Sequence, residues 1–147
     1  MNRIKYLLSS QRGITLIEIL VVLAIIALLA SVVTTRVTGY LGEAKIKTAK
    51  NQIKVFEQAL ELYKSDADYY PTTEQGLQSL IEKPTAGHVP ENYPPNGYLE
   101  KKKIPLDPWG QLYVYVGDGE KFSIISYGAD KKEGGTDKGA DISSDDL

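Results

Sequence analysis

The sequence predicts an α+β fold, one long N-terminal helix packed on a small antiparallel sheet. Three observations lead there. An almost unbroken apolar run, Ile14 to Val33, continues as apolar residues at helical spacing up to Tyr63. Two short segments rich in aromatic and β-branched residues, Leu112 to Val116 and Phe122 to Ser126, flank a Gly/Asp turn. Between helix and strands the chain is broken by prolines and glycines, so strands follow helix and form one layer against it.

The helix begins in the apolar run. Ile19 to Thr35 holds no charge, and with Ile14 to Glu18 it reaches the roughly 20 residues that cross a hydrocarbon core. Arg3, Lys5 and Arg12 precede it, which places the N-terminus in the cytoplasm and everything after Thr35 across the membrane. A secretory signal peptide shares the basic start, and Ala30-Ser31 imitates its cleavage site, but its apolar middle is shorter. Glu18 is the one acid in the run. A carboxylate there costs a few kcal/mol unless it is neutralised, paired or held at headgroup level.

Beyond Thr35, Val37, Leu41, Ala44, Ile46, Ala49, Ile53, Phe56, Ala59, Leu60 and Tyr63 recur at three- and four-residue steps, an amphipathic continuation of the same helix. Gly39 and Gly42 each weaken it by about 1 kcal/mol relative to alanine, or else permit close helix contact. The helix is expected to end at Ser65 to Asp68, ahead of Tyr70-Pro71. A short helix over Thr73 to Ile81 follows, with Thr72 or Thr73 as its cap. Prolines keep Lys83 to Gly97 irregular, and Asp107-Pro108-Trp109-Gly110 reads as a turn whose aromatic closes the core. The two strand segments form a hairpin, and Tyr98-Leu99 supplies a third strand.

Composition narrows the function. Of 147 residues, about 100 remain for a globular domain, enough for one modest core. A net charge of -2 gives no basic face for nucleic acid, and Lys101-Lys102-Lys103 reads as a solvated loop. There is no cysteine, so no disulfide fastens the loops. His88, the single histidine, sits among prolines without a nucleophile-base pattern, which argues against a catalytic or zinc site. Gly134-Gly135-Thr136-Asp137 lacks the spacing and lysine of a phosphate-binding loop.

Arg12-Gly13-Ile14-Thr15-Leu16-Ile17-Glu18 resembles the class III leader of type IV pilins and pseudopilins. The resemblance implies that a prepilin peptidase cuts between Gly13 and Ile14 and methylates the new N-terminus at Ile14, which stands where relatives usually have phenylalanine. The freed amine could then pair with Glu18 of a neighbouring subunit, offsetting the cost of both buried charges. Thr35 occupies the place of a common mid-helix proline.

Tyr70 to Leu77, Lys83-Pro84 and Asp107 to Gly110 narrow the resemblance to the major pseudopilins of type II secretion systems. It implies a pilin-like fold divided into a leader (1–13), a transmembrane and polymerisation helix (14–35) and a periplasmic domain (36–147). It also implies a non-enzymatic filament subunit in the inner membrane. Its partners are copies of itself, minor pseudopilins, the peptidase, the bilayer and an assembly platform with a cytoplasmic ATPase. The alternative is a type IV pilin for motility, adhesion or DNA uptake, which usually carries a C-terminal cysteine pair and lacks the Pro71 to Gly76 type of segment.

From Ser126 to Ile142, carboxylates are interleaved with glycines. Composition alone favours a solvated acidic tail, and the spacing is not that of an EF-hand. The resemblance implies instead one calcium ion, with Asp130 and Asp141 on matching positions, Asp137 as a third ligand and a carbonyl near Tyr127. Such an ion would tie the tail to the last strand, as a disulfide does in many pilins.

Overall fold

A computed structural model describes residues 13–136 and 139–147, the side chains of 32–39 excepted. Arg3, Lys5, Arg12, Asp137 and the Thr35 and Val37 side chains therefore lie outside the described residues. Helix α1 runs Leu16–Ala67, 52 residues, and its backbone is helical through Gly39 and Gly42. The chain forms two compact units, Met1–Tyr40 and Leu41–Leu147.

In the first unit the large apolar side chains from Ile14 to Leu29 stand exposed, Leu16 at 79%. Among the described residues no helix is long and apolar enough to cross a membrane. The described side chains of this run stop at Ser31, short of Val33.

In the second unit α1 buries Ala49, Ile53, Phe56, Ala59, Leu60, Tyr63 and Ala67, the expected three- and four-residue stripe. The stripe starts later than its periodicity suggested. Leu41 and Ala44 are exposed, and Ile46 is the first of the series to touch the core. The end falls where expected: Asp68 takes a left-handed φ of 66°, and its N–H donates to Lys64 O at 2.8 Å. That closes the last turn and leaves Pro71 free to leave the axis.

The short helix expected over Thr73 to Ile81 contracts to a 3-10 turn, Leu77–Leu80, headed by Gly76 at φ 59° with no side-chain cap. Thr72 caps an earlier turn instead. Its N–H donates to Gln75 Oε1 (2.9 Å), and its Oγ1 accepts from Gln75 N–H (3.4 Å). Gln75 Nε2 is drawn outward to the carbonyls of Ala86 and His88, both at 2.9 Å. These long-range bonds hold the segment in a turn that local helix preference does not foresee.

The sheet has three antiparallel strands, β1 (Val114–Gly117), β2 (Phe122–Ser126) and β3 (Ile142–Ser143), in the order β1-β2-β3. The expected hairpin is present, paired Val114↔Ile125 to Gly117↔Phe122, with Leu112 left outside it. The third strand is a correction. Tyr98-Leu99 forms no strand; Tyr98 donates its N–H to Leu80 O (2.7 Å), its hydroxyl to Asp66 Oδ2 (3.0 Å), and packs its ring on Tyr63 and Tyr93. β3 comes from the acidic tail, paired Ile125↔Ser143 and Ser126↔Ile142. Tyr115, Ile124 and Ile142 join the α1 stripe in one core. Tyr113 meets Phe56 edge-on at 5.2 Å and bonds Gln52, and the Tyr115 hydroxyl donates to Pro71 O at 2.7 Å.

Candidate metal centre and helix N-terminus

The acidic loop is anchored at both ends by the sheet. β2 ends at Ser126, β3 begins at Ile142, and these two residues are cross-strand partners, so the chain from Tyr127 to Asp141 leaves and returns at one point. Gly128 makes the first bend at φ 63°. Asp130 Oδ1 accepts from Lys132 N–H at 3.1 Å. Asp141 Oδ2 accepts from Gly134 N–H at 2.9 Å, while its Oδ1 is buried with no partner among the described residues.

Glycines let the backbone close on these acids. A Cβ at Gly135 would stand 2.8 Å from Asp130 Oδ2, and one at Gly139 would stand 3.2 Å from it. Asp130 thus faces Gly135 and Gly139, and Asp141 holds Gly134, so the described parts of the loop fold back on its two acids. Asp137 falls outside the described residues, and Tyr127 sits half-buried between Ser126 and Gly128. Among the described residues no three His, Cys, Asp or Glu group together around a metal position. A cation here would take two carboxylates and draw its remaining ligands from carbonyls, water or Asp137. The donors available are oxygens, which suits a hard cation such as calcium and not zinc. The orphaned Asp141 oxygen and the glycine-lined approach to Asp130 both fit such an ion.

At the other end, Gly13 to Thr15 leads into α1 with Ile14 73% exposed and Glu18 in the first turn. Thr15 and Glu18 cap each other: Thr15 N–H donates to Glu18 Oε2 (3.5 Å), and Glu18 N–H donates to Thr15 Oγ1 (3.3 Å). This reciprocal pattern is a capping box, and it places the carboxylate where the helix dipole favours it. The sequence reading missed Thr15, although threonine three residues before a glutamate at a helix start is the signal for it.

It also passed over Asp107, read as part of an ordinary turn. Asp107 is 4% exposed, and its carboxylate accepts from the N–H groups of Trp109 (3.0 Å) and Gln111 (2.7 Å) and from the Ser126 hydroxyl (2.7 Å). His88 is exposed and lies against the Tyr69 ring at 4.5 Å between centroids.

Residues 36–145 match the family model described as type II secretion system (T2SS), protein G, and residues 8–34 match the prokaryotic N-terminal methylation motif. Curated relatives named type II secretion system core protein G align over nearly the whole chain. The Pseudomonas aeruginosa protein is 48% identical over 134 residues, covering 90% of this chain and 93% of that one. The Vibrio cholerae protein is 42% identical over 137 residues, 92% of each. The crystal structure of the major pseudopilin from the type 2 secretion system of enterohaemorrhagic Escherichia coli superposes with a TM-score of 0.62 at 33% identity, covering 72% of this chain and 87% of that one. With the helix, the three-stranded sheet and the N-terminal motif all in agreement, the chain belongs to the type II secretion system protein G family of pseudopilins.

Proposed function

We propose that this chain is the major structural subunit of a type II secretion pseudopilus, a filament built by polymerisation through α1 that drives folded proteins across the outer membrane. The observation that carries it is the division of labour within α1. From Ala49 onward the helix is packed into its own domain, whereas Ile14 to Leu29 presents large apolar side chains that nothing in the described chain covers. Such a surface needs lipid or other helices around it.

In this reading the run from Ile14 to Val33 anchors the subunit in the inner membrane, with the N-terminus cytoplasmic and the domain periplasmic. Cleavage after Gly13 and methylation of Ile14 precede assembly, and the exposed, non-helical Gly13, with open space about its Cα, supports access by a peptidase. Glu18 pairs with the Ile14 amine of a neighbouring copy, drawing its carboxylate from the Thr15 cap. Minor pseudopilins and an ATPase-driven platform complete the assembly, since the chain holds no nucleotide-binding signature. Asp130 and Asp141, with Asp137 and the Tyr127 carbonyl, hold one calcium ion. Bound there, calcium would supply the positive partner that the orphaned Asp141 oxygen lacks and fasten β3 to β2.

The test is filament formation by the full chain in cells with the secretion machinery. Sheared surface fibres seen by electron microscopy with the wild type, and lost with Glu18→Ala at equal subunit abundance, are the expected result. Fibres of unchanged number with Glu18→Ala would remove the pairing role.

A further inference from the structure

Ser126 joins two motifs that lie far apart in sequence, the Asp107 turn and the acidic loop. It is fully buried at the end of β2. Its hydroxyl donates to Asp107 Oδ2 at 2.7 Å, and its Oγ accepts from Gly128 N–H at 3.3 Å. A hydroxyl has one proton; the carboxylate takes it, so the oxygen is oriented to accept from Gly128. Asp107 cannot swing away, because Trp109 and Gln111 N–H groups hold its other oxygen.

Gly128 is where the loop's entry meets its exit. A Cβ there would stand 2.9 Å from the carbonyl oxygen of Ala140, the residue before Asp141, while Asp130 lies two residues beyond Gly128. The Ser126↔Ile142 pairing closes the same base from the sheet side. Whatever fixes the Gly128 amide therefore fixes how the two carboxylates stand to each other.

We propose that Asp107 and Ser126 are positioning residues for calcium: they touch no ion, but they preorganise the loop that presents Asp130 and Asp141. The proposal rests on the calcium reading above. Groups that orient metal ligands typically change affinity by about 10- to 100-fold when removed. Preorganisation acts by sparing the ligands an ordering cost on binding.

The experiment is calcium titration calorimetry on the full chain in detergent, for wild type, Ser126→Ala and Asp107→Asn, with melting of each in excess chelator. Asp107→Asn keeps the shape and can still accept from Trp109 and Gln111, but it turns an N–H toward Ser126. Roughly tenfold weaker calcium binding in both variants, with loss of hydrogen-exchange protection at the Gly128 amide, is the expected result. A purely structural role would lower the melting temperature in chelator and leave the calcium Kd unchanged, and that outcome overturns the positioning role while sparing the calcium reading. Absence of calcium binding by the wild-type chain overturns both.

Discussion

A buried carboxylate oxygen without a partner costs on the order of 1–3 kcal/mol, and Asp141 Oδ1 is in that position among the described residues. Asp141→Asn removes the charge while retaining an acceptor for Gly134. In chelator its melting temperature should match or exceed that of the wild type. In calcium at a hundredfold its Kd, the wild type should gain about 2.7 kcal/mol that the variant does not, a difference read by paired thermal melts.

Tyr70 makes a separate prediction. Burial first, then its hydrogen bond to Glu61 and the charge of that carboxylate, push its hydroxyl up to about 12. Tyr98, Tyr113 and Tyr115 are raised in the same direction, again mainly by burial. A raised value means that the fold holds the phenolic proton more tightly than the unfolded chain does. The stability this contributes is full below the ordinary tyrosine value of 10.0 and is lost as pH climbs through about 12. Denaturant melts across pH should stay flat with respect to these groups up to pH 10 and fall steeply above it, and Tyr70→Phe should blunt that edge. Asp130 and Asp141 were legible as loop anchors only through resemblance to relatives. Ser126 and Asp107 were not, because a serine ending a strand and an aspartate opening a turn have ordinary local explanations.

At the scale of elements, β3 decides how the tail behaves. Its two residues pair with the end of β2, and Ile142 enters the core. Ile142→Ala should cost about 2–5 kcal/mol in urea denaturation, far more than truncating an apolar residue in a free tail would. Phe56→Ala, at the centre of the α1 stripe, should cost about 3–5 kcal/mol by the same measurement. The helix and hairpin were readable because each has a period of its own, 3.6 or 2 residues, written along a continuous segment. Tyr98-Leu99 was misread as a strand because aromatic and aliphatic residues satisfy strand preference and core packing equally well. Ring contacts with Tyr63 and Tyr93 settled the matter for packing.

For the molecule as a whole, a chain without cysteine holds its C-terminal end by the β2–β3 pairing and by Ile142 in the core. The long helix with its apolar N-terminal half and the hairpin were legible in the sequence alone, because hydropathy and local periodicity need no partner to be read. Tertiary structure alone decided that the tail returns as β3, that one buried oxygen of Asp141 has no partner among the described residues, and that Asp107 reaches the acidic loop through Ser126. These depend on contacts between segments distant along the chain, whose pairing is set by packing geometry and not by any local preference of the residues involved.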